Sequence, residues 1–166
     1  MEPISSTKRG NMKSQIVHIL LVEDDEIDAE AIVRGFQKQK IQNPITVVAN
    51  GIEALSALRG EEGYARIPAP YLILLDLNMP RMNGIEFLQF LRQDIQLRSS
   101  IVFVLTTSNS DRDKVAAYRE QIAGYLLKQR SGVNFSDLVN MLDFYWRVVE
   151  FPPEGRSWMH SPLPIS

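Results

Sequence analysis

Residues 71–84 read YLILLDLNMPRMNG, and this stretch decides the fold. Tyr71 to Leu75 form an unbroken apolar run, which is typical of a strand buried on both faces of a sheet. Asp76 follows this run directly. Asn83-Gly84 then reads as a turn that releases the chain into a helical pattern. The stretch predicts a buried strand, an acid at its carboxyl end, and a loop that leads into a helix.

Four more apolar runs of this kind occur along the chain. They are Ile16 to Val22, Pro44 to Ala49, Ile101 to Leu105 and Tyr125 to Leu127. A helical pattern follows each of the five runs, at residues 29–36, 51–58, 84–91, 110–121 and 135–149. Strict alternation of strand and helix predicts an α/β fold, with a parallel sheet, right-handed crossovers and helices on both faces.

The composition fits a single domain. With 166 residues, 45% of them hydrophobic, the chain can form one core. The net charge of −2 provides no global basic field, so direct nucleic-acid binding is not expected. The absence of Cys excludes disulfides and thiolate metal sites and suits a reducing compartment. No apolar run approaches the ~20 residues that span a bilayer, so we expect a cytoplasmic protein with no membrane partner.

Polar side chains stand at the carboxyl ends of four of the predicted strands. The first strand ends in Glu23-Asp24-Asp25, the third in Asp76, the fourth in Thr106-Thr107-Ser108 and the fifth in Lys128. Parallel sheets bind ligands beyond these ends, at the point where the strand order reverses. Acids, hydroxyl groups and an amine are therefore expected to converge on one rim.

The acids on this rim indicate a metal site. Two unit charges ~4 Å apart repel by roughly 4 kcal/mol at an effective dielectric of 20, so a cluster of carboxylates needs a positive partner. Mg²⁺, which prefers oxygen ligands, suits the set better than a metal that requires His or Cys. His18 lies within the first strand pattern and His160 near the end of the chain, and neither is expected to be a ligand. Asp25 is better explained as the cap of the first helix.

Four ordered blocks carry a resemblance to a known family. They are Val22-Glu23-Asp24-Asp25, Leu75 to Gly84, Thr106-Thr107-Ser108 and Tyr125-Leu126-Leu127-Lys128. Together they resemble the receiver domain of two-component response regulators, over residues 16–149. The resemblance implies a flavodoxin-like, doubly wound sheet of five parallel strands in the order 2-1-3-4-5, flanked by five helices. It also implies a signalling protein that catalyses only its own phosphorylation and slow dephosphorylation.

The resemblance assigns roles to the rim residues. Asp76 matches the phosphoacceptor, which receives a phosphoryl group from the phosphohistidine of a sensor histidine kinase. Mg²⁺ would be held by Asp24, Glu23, Asp76 and the backbone carbonyl of Asn78. Lys128 would pair with Asp76 before the transfer and with the phosphoryl group afterwards.

Two further residues match the family's switch. Thr106 would donate its hydroxyl to the phosphoryl group, and Tyr125 would turn inward as Thr106 moves. An ordinary half-buried strand position is the alternative explanation for Tyr125. Gln129 departs from the family pattern, because a Pro commonly follows the lysine and no cis peptide is then expected at this position.

The ends of the chain are less typical of the family. Residues 1–15 predict a flexible tail, residues 16–150 the receiver domain, and residues 151–166, with four prolines, an extended Pro-rich tail. The last helix carries more aromatic and apolar residues than one sheet face requires, which favours a homodimer through this helix and the C-terminal segment. The alternative explanation for these residues is a long helix that belongs to the core and is covered by the tail. This ending is similar to that of stand-alone response regulators paired with phytochrome-type histidine kinases.

Two other function classes compete with the receiver interpretation. An aspartyl phosphatase or phosphotransferase would need a second acid two residues after its nucleophile, where this chain has Asn78. An unphosphorylated scaffold would retain the receiver fold and bind partners through its last helix, but all of the phosphorylation residues are present in this chain.

Overall fold

The computed structural model describes residues 16–153. Five strands and five α-helices alternate along this part of the chain: β1 (His18–Val22), α1 (Glu26–Lys38), β2 (Ile45–Val48), α2 (Gly51–Arg59), β3 (Tyr71–Leu75), α3 (Gly84–Gln93), β4 (Ile101–Thr106), α4 (Asp111–Arg119), β5 (Gly124–Leu127) and α5 (Ser136–Val148). The tail predicted at residues 1–15, most of the tail predicted at residues 151–166, and His160 lie outside the described residues. None of the described helices is long and apolar enough to cross a membrane.

The strands form one parallel sheet in the order β2-β1-β3-β4-β5. This order confirms the predicted doubly wound fold. The order reverses between β1 and β3, whose last residues, Val22 and Leu75, are paired in register. Residues that follow these two strands are therefore neighbours at the carboxyl edge of the sheet.

Two apolar layers hold the helices against the sheet. Successive side chains of a strand point to opposite faces, so Leu20 and Val22 of β1 join one layer while Ile19 and Leu21 join the other. The first layer packs against α2, α3 and α4, and the second against α1 and α5. Burial on both faces explains why the strands read as continuous apolar runs.

Side chains cap two of the helices that begin at the carboxyl edge. The Asp25 carboxylate accepts hydrogen bonds from the backbone N–H groups of Ile27 and Asp28, which confirms Asp25 as the cap of α1. Asn83 caps α3 in the same way. A Cβ on Gly84 would lie 2.7 Å from the carbonyl oxygen of Asp76, so glycine lets α3 start directly beneath the site.

The aromatic residues at the end of the chain partly cover its own core. Tyr145 meets Phe103 of β4 edge-on at 4.9 Å between ring centroids, and Phe151 packs on Tyr145 at 6.3 Å. Trp146 stacks on Phe36 of α1 at 6.3 Å. These contacts match the alternative explanation, a core helix with a covering segment. Phe144 and Val148 remain 72% and 80% exposed on α5.

Arg92 joins two loops at the amino edge of the sheet. Its guanidinium donates to the carbonyl oxygens of Arg98 and Ser100, each at 2.8 Å, and to those of Glu120 and Gln121, at 2.6 and 3.1 Å. The first pair lies between α3 and β4, and the second pair follows α4. One side chain therefore fixes how α3 and α4 approach β4.

Replacing Arg92 should destabilise the fold. Arg92→Met removes four charge-assisted hydrogen bonds, and because several of the freed carbonyls can bind water we expect a loss of about 2–3 kcal/mol in the free energy of unfolding. The measurement is urea unfolding followed by far-UV circular dichroism. Arg34→Met is the control, since Arg34 is exposed and forms only a 3.5 Å pair with Glu30, and it should change stability by less than about 0.5 kcal/mol. Equal losses in the two variants would contradict this role for Arg92.

Candidate functional site

The pairing of β1 with β3 creates the site. The Asp76 N–H donates to the Val22 carbonyl at 3.0 Å, which continues the ladder one residue beyond the two strands. Glu23 and Asp76 therefore leave adjacent strand ends side by side. Both are almost completely buried, at 3% and 7% exposure. Any function proposed for this rim must explain why two acids are buried at adjacent strand ends.

Asp24 completes an acidic cluster with these two residues. Glu23, Asp24 and Asp76 each offer a carboxylate oxygen, and these oxygens lie within 4.8 Å of one another. Asp24 is exposed, so the cluster is open to solvent on one side. A set made only of oxygen ligands fits a hard divalent cation such as Mg²⁺, Mn²⁺ or Ca²⁺. These three residues could hold such an ion.

Lys128 is the positive partner of the cluster. Its ammonium lies 2.7 Å from Glu23 Oε1, 2.8 Å from Asp28 Oδ2 and 3.1 Å from Asp76 Oδ2. The lysine side chain is 9% exposed, so these bonds form largely out of water. The structure thus brings together three residues that the sequence placed on the rim, Glu23, Asp76 and Lys128.

Asp28 is a site residue that the sequence analysis does not predict. It lies in the first turn of α1, and its carboxylate accepts a hydrogen bond from Lys128 across 100 residues of chain. A signal was available, because Asp28 lies one helical turn after the acids at the end of β1 and α1 begins at the same rim.

Burial and charge shift the pKa values of the central pair. Burial raises the pKa of Glu23 to about 7; the hydrogen bond from Lys128 opposes this rise, and the charge of Asp76 adds to it. Burial by itself lowers the pKa of Lys128, but the hydrogen bonds to Asp28 and Glu23 and the charge of Asp76 outweigh it and hold that pKa above its ordinary value. The ammonium is therefore charged at neutral pH.

The loop after β4 connects the site to Tyr125. Thr106 is completely buried, and its Oγ1 accepts a hydrogen bond from the Ser108 N–H at 3.3 Å. The Tyr125 hydroxyl donates to the Ser108 carbonyl at 2.9 Å, and the Ser108 hydroxyl donates to Asp113 at 2.5 Å. Burial raises the pKa of Tyr125, the bond to Ser108 lowers it, and the charges of Asp113 and Asp76 raise it, with a net increase. Ser108 thus connects the two residues predicted to form a switch.

The remaining predicted residues lie on loops at the same edge. The Asn78 N–H donates to Asp76 Oδ1 at 3.3 Å, and the Asn78 side chain is exposed beside a cleft that also contacts Asp24 and Asp113. A carbonyl ligand from Asn78 stays a prediction. Gln129 lies in a short 3₁₀ turn, Lys128–Arg130, and its side-chain amide donates to the Thr107 carbonyl at 3.3 Å.

The fold and the site together define a doubly wound α/β protein with a lysine-bridged acidic cluster at the reversal point of its sheet. The family model described as the response regulator receiver domain matches residues 19–143. The chain therefore belongs to the response regulator receiver family of two-component systems, whose members are signalling proteins.

Individual relatives agree with this assignment. Response regulator Rcp1 of Synechocystis sp. is 33% identical over 128 residues, which cover 77% of this chain and 87% of Rcp1. The probable methanogenesis regulatory protein FilR2 of Methanothrix harundinacea is 36% identical over 146 residues, or 88% of each protein.

Solved structures show the same similarity. The Mn²⁺-bound form of Rcp1 superposes with a TM-score of 0.72 at 32% identity, over 82% of this chain and 99% of the other. The phosphorylated cyanobacterial phytochrome response regulator RcpA gives a TM-score of 0.72 at 30% identity, over 84% of this chain and 100% of the RcpA chain. These comparisons confirm the receiver domain that the sequence predicts.

Removing the lysine should destabilise the protein when no divalent cation is added. Lys128→Met leaves Glu23 and Asp76 buried without a counter-ion, and breaking a buried ion pair costs roughly 3–5 kcal/mol. Urea unfolding in the presence of a chelator measures the loss. Lys114→Met is the control, because Lys114 makes only a 3.9 Å pair with the fully exposed Asp111. A Lys128→Met variant as stable as this control would contradict the counter-ion role.

Proposed function

We propose that this protein is a phosphoacceptor response regulator. Asp76 accepts a phosphoryl group from the phosphohistidine of a sensor histidine kinase, and the new charge switches a protein-interaction surface. The observation that carries this proposal is the contact between the buried Asp76 carboxylate and Lys128, at 3.1 Å, within a cluster that includes Glu23 and Asp24. This arrangement combines a nucleophile, a fixed positive charge and further oxygen ligands at an edge open to solvent.

Several residues of the site have separate roles in the proposed phosphoryl transfer. Asp76 is held at both oxygens, by Lys128 at Oδ2 and by the Asn78 N–H at Oδ1, so its orientation is defined before the reaction. Its carboxylate oxygen forms the new bond to phosphorus as the bond from phosphorus to the histidine nitrogen breaks, giving an acyl phosphate. Lys128 then offers positive charge to the phosphoryl oxygens.

A divalent cation fits the acidic cluster in this proposal. Glu23, Asp24, Asp76 and the carbonyl of Asn78 would hold Mg²⁺. The ion would supply the charge that lets a carboxylate approach an anionic phosphoryl group. The relative Rcp1 has been solved in an Mn²⁺-bound form, which supports the binding of a divalent cation by this chain.

The proposed switch uses the loop after β4. A hydroxyl group both donates and accepts, so Thr106 can accept from Ser108 and still donate to a phosphoryl oxygen. If Thr106 turns toward the phosphoryl group, the Ser108 loop follows it and the bond between Ser108 and Tyr125 is lost. Bonds to charged groups contribute ~1.5–3 kcal/mol each, so two such bonds nearly provide the ~5.5 kcal/mol that reverses a 1:99 population.

The partner in this proposal is a sensor histidine kinase of the phytochrome type. The relative RcpA is a phytochrome response regulator, and the structure of its phosphorylated form resembles this chain at 30% identity. We further propose a receiver unit at residues 16–150 that acts in the cytoplasm, with no direct contact to nucleic acid or membrane. We propose that the output of this unit is a protein contact or onward transfer of the phosphoryl group.

The two rival functions have less support. The enzyme alternative lacks an acid two residues after Asp76, since Asn78 occupies that position and its side chain is exposed. The scaffold alternative does not account for Glu23, Asp76 and Lys128 being kept in contact in a buried site.

Acetyl phosphate tests the proposal directly. Incubation with Mg²⁺ and acetyl phosphate should produce one acid-stable, base-labile phosphoryl adduct on Asp76, detected by intact-protein and peptide mass spectrometry. Asp76→Asn should abolish the adduct, whereas Asp111→Asn, which changes an exposed acid of α4, should retain it. Chelation of Mg²⁺ should also abolish it.

Each alternative has its own outcome in this experiment. Rapid turnover of many phosphoesters without a persistent adduct would favour the phosphatase. No adduct at all, combined with partner binding that is unchanged in Asp76→Asn, would favour the scaffold. Either result would contradict the phosphoacceptor function.

We also propose a homodimer through α5 and the C-terminal segment. Phe144 and Val148 lie one turn apart on α5 and expose 72% and 80% of their surface. They lie on the same helix as Tyr145, which packs with Phe151 against the core. An apolar pair in this position favours a second copy, because large exposed apolar side chains beside a structured aromatic layer are typical of interfaces.

Charge on this surface should weaken the dimer. Phe144→Asp combined with Val148→Glu is expected to raise the dissociation constant at least about tenfold, since each change removes buried apolar area and adds an unpaired charge. Sedimentation equilibrium of the full chain measures it. Ile95→Asp is the control, because Ile95 is 52% exposed outside α5. An unchanged mass distribution in the double variant would exclude this surface.

A further inference from the structure

One bond of Lys128 is not explained by the proposed phosphotransfer. The ammonium lies 2.8 Å from Asp28, closer than the 3.1 Å that separates it from Asp76. Asp28 belongs to the first turn of α1, and it is neither the phosphoacceptor nor a predicted ligand of the metal. Its side chain is 31% exposed, so Asp28 reaches the lysine from the solvent side of the site.

The lysine has no donor left for a new partner. An ammonium carries three N–H groups, and Glu23, Asp28 and Asp76 each accept from it. A phosphoryl oxygen can therefore gain a bond to Lys128 only when one of the three existing bonds is broken or shared. Charge-assisted bonds of this kind are among the strongest that side chains form.

The three partners differ in what the reaction does to them. Glu23 is a predicted metal ligand. Asp76 loses the negative charge of its carboxylate when it becomes an acyl phosphate. Asp28 undergoes neither change, so it competes for the lysine at every stage. Its partly exposed carboxylate also adds a negative charge at the solvent-facing edge of the site.

We propose that Asp28 is a positioning residue that acts through Lys128 and slows the phosphorylation of Asp76. It holds the ammonium toward α1 and away from the incoming phosphoryl group. This inference rests on the proposed phosphoacceptor function. It gives the chain a means of setting its response rate with a residue that does not touch the reacting atoms.

Removing the charge of Asp28 tests the inference. Asp28→Asn retains the size of the side chain, and the rate of phosphorylation by acetyl phosphate with excess Mg²⁺ should rise about threefold to tenfold, as expected when a barrier falls by ~0.6–1.4 kcal/mol. Asp28→Glu restores the carboxylate and should return the rate toward that of the wild type. Stopped-flow fluorescence or quenched-flow mass spectrometry provides the rate constants.

Glu26→Gln is the matched control. Glu26 lies in the same first turn of α1 and carries the same charge, but it is not an ion-pair partner of Lys128. This variant measures the effect of charge alone, and its rate should stay within about twofold of the wild type. Thermal unfolding of each variant verifies that the fold is retained.

A double-mutant cycle separates action through the lysine from action through space. In a Lys128→Met background, Asp28→Asn should change the rate by less than about twofold, because the interaction that it removes is already absent. If Lys128→Met does not fold, the phosphorylation rates of Asp28→Asn, Asp28→Glu and Glu26→Gln decide whether the inference holds.

Several outcomes would overturn the inference. They are an Asp28→Asn rate equal to or below that of the wild type, a rate matched by Glu26→Gln, and an effect that persists at full size without Lys128. A wild-type protein that acquires no phosphoryl group on Asp76 would instead refute the proposed function. The two failures are therefore distinguishable.

Discussion

The charge balance around Lys128 constrains the rest of the structure. The sheet places Glu23 and Asp76 at adjacent strand ends, and both are buried. Such a pair is tolerated only when a positive charge lies beside it, because burying like charges together is costly. Lys128 supplies that charge from the end of β5, and its long side chain must pass the end of β4 to reach β3 and β1.

This constraint explains the character of the neighbouring elements. The end of β4 lies between the acids and the origin of the lysine, and the residue found there, Thr106, is small, polar and fully buried. Gly84 allows α3 to begin against the backbone of Asp76, where any Cβ would collide. Asp25 follows β1 closely and caps α1. The first turn of α1 therefore begins at this edge of the sheet, where Asp28 contacts the lysine.

Much of this arrangement could be predicted from the sequence, because it depends on local patterns. Apolar runs such as Tyr71 to Leu75 determine the strands, the alternation of strand and helix indicates that the strands run parallel, and the residue after each strand must then lie on the rim, whereas the strand order is implied by the family resemblance. The position of Asp28 one helical turn after the acids of β1 indicates that it lies near the rim, but its bond to Lys128 does not follow from that position alone, since the bond depends on how far two side chains reach from distant elements. For the aromatic ending the sequence favours a homodimer but also allows a core helix with a covering tail, because aromatic residues suit cores and interfaces equally well.

The hydrogen bonds around β4 indicate which part of the molecule can respond to the site. β4 itself pairs with β3 on one side and β5 on the other, so the strand has little freedom to move. The loop that follows is held by a few bonds centred on Ser108, to Thr106, Tyr125 and Asp113. In the proposed switch, a change at Thr106 would therefore be passed to α4 and β5 through this loop. The contact between Phe103 and Tyr145 lies on the opposite face of β4, so the aromatic packing of α5 is expected to be the same in both states of the site.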